Sequence, residues 1–341
     1  MPDKQATVVI TGAGTATCQG VLKALRAQTE IPVRLVVADP DTVNAGRYLA
    51  DAYERVPFAN DPQFVDRLIE ICKKYDADLL VPIVDMEFMA IAKRKGDFPC
   101  VVSMSAPDAL SKCIEKDKTY DVCGELGLRH PKVYAVGNDA AAKFLKDGPG
   151  NVFPLFVKPR IGRATIDCYR VDDVTELEIV LRKVDDPLVT ENIESGDDVP
   201  EMTIDTLSDF EGKFLGGVVR VRLMTKSGVS VKGMALQQPT VLNQAKQIVE
   251  RIGVVGPACL QCFNTENGST PAWFEVNPRF GGGTILSVAY GFNSPLALLK
   301  LALGQQVDFT GWKPKQGILK MVRYWQEFYT VDGSREETDV G

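Results

Sequence analysis

Apolar positions in residues 1–112 follow two alternating spacings. TVVIT (7–11), RLVVAD (34–39), ADLLVPI (77–83) and PCVVSM (99–104) are short apolar runs that predict four strands. Between them, Cys18, Val21, Leu22 and Leu25 recur at helical spacing. PQFVDRLIEICKKY (62–75) predicts another helix, with Pro62 at its start, where a missing N–H is harmless. Strands alternating with helices predict a parallel sheet covered on both faces.

The pattern changes after residue 112. EKDKTYDVCGELGLRHPKVYAV predicts a helix, a glycine stop, then Pro131 and a strand. FPLFVKPRIGRATIDCYRV predicts a strand, a Gly/Arg loop and a second strand. From 187 onward the signals are antiparallel. Glu211-Gly212 separates EMTIDTLSD from KFLGGVVRVRL, and Asn267-Gly268 splits residues 257–283 into a hairpin. The expected fold class is α/β and α+β: a Rossmann-like parallel-sheet domain (1–112), then a two-lobed domain with antiparallel sheets (113–186 and 187–330), then a polar tail (331–341). No internal repeat, low-complexity tract or long linker interrupts this plan.

Composition narrows the chemistry. The chain has 341 residues, a net charge of −6, 25% charged and 45% hydrophobic residues, which suits a globular protein. No clustered basic patch points to nucleic acid or an anionic membrane. No apolar run reaches the length of a membrane span, and MPDKQATVVIT lacks a signal peptide's layout, so a cytoplasmic location is expected. The eight cysteines are scattered through strand-like and helix-like segments, which favours reduced thiols. Cys259 and Cys262 form a lone C-x-x-C and are read as core packing beside Gln261. His130, the only histidine, lies before Pro131 and leaves no partner for Ser-His-Asp, Cys-His or His-metal chemistry.

The chemistry concentrates in PACLQCFNTENGSTPAWFEVNPRFGGG (257–283). Glu275 and Asn277 share one strand face, roughly 6.5 Å apart along the strand. Gln261 sits on the paired strand. Three oxygen-bearing side chains can converge, a hard site that suits Mg²⁺ with phosphates and water. Arg279 can reach a phosphoryl oxygen. The other reading is a polar strand end before a glycine turn. Upstream, GAGTATCQG is a glycine turn at a helix N-terminus, with Gly12 and Gly14 in place but Thr17 where a dinucleotide fingerprint needs a third glycine. Asp39 ends the next strand, where a ribose-binding acid would sit. NAD(P) binding is the lesser reading; scaffold or acceptor binding is preferred.

FEVNPRFGGG, with Gln261 14 positions before Glu275, resembles the metal-binding signature of the ATP-grasp superfamily. It is most similar to the synthetase domains of the carbamoyl-phosphate synthetase large subunit. LSVAYGFNSPLALLKLALGQ resembles the helix that follows there, and VPIVDMEFMAIA (81–92) the pre-ATP-grasp domain's P-x-x-D-x-E word. Helix N-terminal capping is the competing reading of Asp85 and Glu87. The similarity covers roughly residues 5–310 and implies site roles. Gln261, Glu275 and Asn277 would hold Mg²⁺ or Mn²⁺ with ATP. Lys118 and Lys158 would contact phosphate, with Lys112 and Lys116 as competitors of Lys118. Gly162, Arg163 and Thr165 occupy the lid, although this copy has one glycine where the family has several small residues. Glu191, Asn192 and Ile193 lie at the adenine hinge. Glu201 matches the ribose carboxylate, with Asp197 and Asp198 as competitors. Arg220 and Arg222 resemble an R-x-R strand lining the active site, beside Lys226 and Lys232; the alternative is a strand face paired with acids.

The resemblance implies an ATP-dependent ligase. A small-molecule carboxylate would take the γ-phosphate and an amine or related nucleophile would displace it, releasing ADP and phosphate, with Arg279, Arg220 and Arg222 stabilising charge. A homodimer is compatible with this reading. An ATP-dependent phosphoryl transferase on the same fold and a non-catalytic nucleotide-binding module are the alternatives. Carbamoyl-phosphate synthesis itself is not expected, since one ATP-grasp unit and no glutaminase are present.

Overall fold

A computed structural model describes residues 5–162, 165–193, 201–226, 228–265, 270–309, 315 and 317–329. Five strands open the chain: β1 (Ala6–Thr11), β2 (Val33–Asp39), β3 (Ala52–Arg55), β4 (Leu79–Val81) and β5 (Val101–Val102). They form an all-parallel sheet in the order β3-β2-β1-β4-β5. The central strand β1 is buried along its whole length, which fits its continuous apolar run. The edge strand β3, sequence AYER, was not expected: a polar edge strand has only one neighbour and shows no apolar run. The helix expected over 62–75 spans Phe64–Lys74, and Pro62 lies outside it.

The second sheet contains β6 (Val133–Val136), β7 (Leu155–Pro159), β8 (Tyr169–Val171) and β9 (Pro187–Glu191), antiparallel in the order β6-β9-β7-β8. This corrects the expected lobe boundary at 186/187, because β9 lies between β6 and β7. Its own apolar cluster includes Leu155, Val157, Val171, Leu177 and Val189.

The third sheet contains β10 (Glu201–Ser208), β11 (Phe214–Lys226), β12 (Val229–Leu236), β13 (Gly256–Thr265), β14 (Thr270–Asn277) and β15 (Leu319–Val322). Its order is β14-β13-β10-β11-β12-β15, with antiparallel neighbours. Gly212 adopts φ +83° in the turn between β10 and β11, which explains the glycine there. The Asn267-Gly268 turn and the tail 331–341 lie outside the described residues.

Alternation gives the third sheet two unlike faces. Met202, Ile204, Val219, Val221, Leu260, Cys262, Trp273 and Val276 pack with Val241, Ala245, Ile248 and Val249 of the helix Pro239–Ile252. A further cluster joins the first sheet to the third region: Val8, Ile10, Leu22 and Leu35 pack with Leu207, Phe280, Leu286, Phe292 and Leu299. Among the described residues no helix is long and apolar enough to cross a membrane.

Candidate functional site

β14 of the third sheet packs against the helices Pro107–Ile114 and Lys116–Glu125. Pairing places Gln261 opposite Glu275 and Cys259 opposite Asn277. Directly opposed residues share a face, so Gln261, Glu275 and Asn277 stand together. The register slips after Gln261: Cys262 pairs with Trp273, and Phe274 is the extra residue. This bulge keeps Trp273 in the core, while Phe274 stacks on Phe263 at 4.4 Å and lies 5.9 Å from Lys158 Nζ. Cys259 and Cys262, three apart on a strand, point to opposite faces. The C-x-x-C therefore packs as two separate buried thiols.

Lys158, next to last in β7, is buried, and its Nζ donates to Tyr120 Oη at 2.8 Å. Burial pushes its pKa down to about 8, opposed by the nearby Glu275 carboxylate. Lys118 turns elsewhere: its Nζ donates to Ser111 Oγ at 2.6 Å and Glu115 Oε1 at 2.8 Å. The site contains Lys116 instead. That side chain is buried and donates to the Gly162 carbonyl at 3.0 Å, and its pKa is lowered by burial, with Glu275 opposing and Lys158 reinforcing the shift. On the helix Lys116–Glu125, residues 116 and 118 face different ways, so the competitor is the residue that points inward. Gly162 and Thr165 are exposed; Arg163 lies outside the described residues, as do Asp197 and Asp198.

At the end of β9, Glu191 accepts the Lys132 N–H at 3.2 Å, and the Asn192 N–H reaches the Pro154 carbonyl at 3.4 Å. Glu191, Asn192 and Ile193 are half-buried. Glu201 sits on the polar face of β10. Burial raises its pKa, and Arg222 opposes the shift by donating to it at 2.5 Å. Arg222 also donates to the Gly228 carbonyl at 2.8 Å.

Arg220 corrects the expectation of a reactive arginine. It is buried and bidentate to Asp205, at 2.8 and 2.7 Å, and Ser287 Oγ donates to the same carboxylate at 2.7 Å. The glycine turn lies against this pair: a Cβ on Gly283 would come 2.0 Å from Arg220 Nη1. Arg220 thus shapes the turn after β14. Arg222, tied to Glu201, orients that carboxylate. Lys226 lies over the Trp325 ring at 5.4 Å, and Lys232 is exposed.

Arg279 is committed across the domain seam. Its Nε and Nη2 donate to Asp85 at 2.7 and 3.1 Å, and Nη2 also reaches Asn277 Oδ1 at 3.1 Å. The cap positions of the two short helices here are Val84 and Glu87, neither with a side-chain cap bond, and the Asp85 carboxylate is instead taken by Arg279. Glu87 is buried beside Thr11, whose hydroxyl donates to it; burial pushes its pKa up to about 8. Asp39 accepts the N–H groups of Gly14 at 3.0 Å and Asp41 at 2.9 Å, closing the glycine loop on itself. His130 stacks on Tyr120 at 5.5 Å.

The donor set fits a hard divalent cation. Glu275 offers one carboxylate, and Gln261 and Asn277 offer neutral oxygens on the same face. Thr203, paired with Gln261, has a buried hydroxyl without a hydrogen-bond partner among the described residues. No cluster of three His, Cys, Asp or Glu occurs among the described residues, so a site that uses amides would not show as one.

Comparison with known proteins agrees with this arrangement. A family model described as ATP-grasp in the biosynthetic pathway with Ter operon matches residues 165–323, and a PylC-like N-terminal domain matches residues 8–102. These two matches are consistent with an ATP-grasp unit preceded by a PylC-like N-terminal domain. Its fold is similar to the biotin carboxylase domain of a Hydrogenobacter thermophilus 2-oxoglutarate carboxylase, a dimer solved with MgADP, ADP and bicarbonate: 13% identity, TM-score 0.71, covering 88% of this chain and 70% of that one. Campylobacter jejuni biotin carboxylase gives 16%, 0.71, 92% and 74%. Staphylococcus aureus N5-carboxyaminoimidazole synthetase with ADP gives 13%, 0.69, 90% and 80%. Comparison with curated protein sequences gave no match.

Proposed function

We propose that this chain is an ATP-dependent ligase that activates a small-molecule carboxylate and joins it to an amine or related nucleophile. The observation that carries the reading is the meeting of Gln261, Glu275 and Asn277 on one sheet face with buried Lys158 and Lys116. Two desolvated ammonium groups beside one carboxylate leave a net positive recess suited to a triphosphate. Solved relatives of the fold carrying ADP or MgADP support nucleotide use.

In this reading Lys158 and Lys116 hold phosphate oxygens. Glu191, Asn192 and Ile193 line the base, and Glu201, steadied by Arg222, takes the ribose hydroxyls. Gln261, Glu275 and Asn277 would hold Mg²⁺ or Mn²⁺, which when bound neutralises phosphate charge. A carboxylate oxygen attacks the γ-phosphorus, the bond to the β,γ-bridging oxygen breaks, and ADP leaves. The nucleophile's nitrogen then adds to the acyl carbon, phosphate departs with the C–O electrons, and the nitrogen gives up its proton. The fixed cations stabilise charge as it moves, so no covalent protein nucleophile is required.

The test is an ADP-release screen with Mg-ATP over pools of carboxylates and amines, with products identified by mass spectrometry. ADP formed together with a condensed product supports the ligase. A stable phosphorylated product without condensation would make the chain a phosphoryl transferase.

A further inference from the structure

Asp85 belongs to the first sheet's domain, yet its carboxylate is spent on a residue 194 positions later. It grips Arg279 through two nitrogens, and the pair is mostly enclosed, with side-chain exposures of 19% for Arg279 and 27% for Asp85. Arg279 Nη1 is held by the Phe280 carbonyl at 3.2 Å, and Nη2 is shared between Asp85 and Asn277 Oδ1. The guanidinium therefore has one orientation, and it lies in contact with an amide proposed to hold the metal. Apart from the Glu201–Arg222 and Asp205–Arg220 ion pairs, the surrounding charges are Lys116, Lys158 and Arg279 against Glu275 and Asp85. Without Asp85, three cations would face one carboxylate, an environment that repels a divalent cation.

We propose that Asp85 is a positioning residue for the metal strand: it neutralises and orients Arg279 so that a divalent cation can be held at Glu275 and Asn277. The inference rests on the metal reading above. It assigns the N-terminal domain a part in that site without contact with nucleotide or metal. A lost partner leaves Arg279 as an uncompensated, largely enclosed charge, whose damage disappears when that charge is removed too.

The experiment uses the full chain and Mn²⁺ as probe. Free Mn²⁺ is followed by electron paramagnetic resonance at saturating ADP, and ADP affinity is measured separately by calorimetry in EDTA. Asp85→Asn is expected to weaken Mn²⁺ binding about tenfold or more while changing metal-free ADP affinity by less than about twofold. The Asp85→Asn/Arg279→Gln double variant should return to within about threefold of Arg279→Gln alone. Unchanged Mn²⁺ affinity in Asp85→Asn overturns the proposal. So does an equal loss of ADP affinity in EDTA, or a double variant as weak as Asp85→Asn. If the wild-type ADP complex takes up no Mn²⁺, the metal reading itself fails and takes this inference with it; wild-type uptake with no effect of Asp85 removes only the inference.

Discussion

Lys158 carries the clearest titration signature. Its folded pKa of about 8 lies below the ordinary 10.5. Between these values the unfolded chain holds a proton that the folded chain lacks, so this residue's contribution to stability improves as pH rises from about 8 to 10.5. Below about 8 the full cost of burying the charge remains. A bound phosphate restores the charge, so nucleotide binding should take up almost no proton at pH 7 and roughly 0.9 at pH 9. Calorimetry in buffers of different ionisation heat measures this, and Lys158→Met should abolish the uptake. Lys158→Ala should weaken Mg-ATP binding about tenfold or more, since a charge-assisted phosphate contact contributes about 1.5–3 kcal/mol. Glu87 has the opposite sign. Its folded pKa of about 8 lies above the ordinary 4.5, so stability falls as pH rises between the two. Glu87→Gln should therefore gain in melting temperature relative to wild type on going from pH 5 to pH 8.5; no change in that difference would mean that the carboxyl stays ionised when folded.

At the scale of elements, Gly283 separates a required close approach from an ordinary turn. Arg220 cannot retreat freely from a new methyl group because Asp205 holds its Nε and Nη2 in a bidentate pair. Gly283→Ala should cost about 3 kcal/mol or more by displacing that buried pair, measured by denaturant unfolding. At Gly96 a new methyl group would meet nothing within 4 Å, so Gly96→Ala should stay within about 0.5 kcal/mol. The shared face of Glu275 and Asn277 was legible because strand alternation is strict: Glu275-x-Asn277 fixes a common side before any tertiary contact is known. The bulge at Phe274 was not legible, since its cause is the partner strand's register. Lys116 and Lys118 are equal by spacing, and only their tertiary partners, the Gly162 carbonyl for Lys116 and Ser111 with Glu115 for Lys118, distinguish them. The polar words read as substrate-facing, Arg220 and Arg222, turned out to be paired across β10 and β11, where register brings their acids alongside. The Asp85–Arg279 pair is remote in sequence and leaves no local pattern at all.

At the scale of the molecule, packing divides the chain differently from its sheets. The cluster that unites Val8, Ile10 and Leu22 with Phe280, Leu286 and Leu299 makes the first domain and the third sheet one apolar unit, whereas the second sheet encloses its own cluster. Scanning calorimetry without nucleotide should show residues 133–191 loosening first, and hydrogen exchange should find their amides opening as a separate unit. Residues 1–112 produced alone should bind a hydrophobic dye and lack a cooperative transition. The parallel-sheet plan was readable from periodicity, but which of its faces would be claimed by residues near 290 was not, because helix amphipathicity names a buried side without naming its partner. The shared cluster also has a consequence for biosynthesis. On the ribosome, the first sheet is complete once Val102 has emerged, yet Leu299 follows about two hundred residues later, roughly 10–40 s at ordinary elongation rates. Through that interval the nascent chain carries an uncovered greasy flank, making it a client for chaperones during translation and sensitive to any pause between those two points.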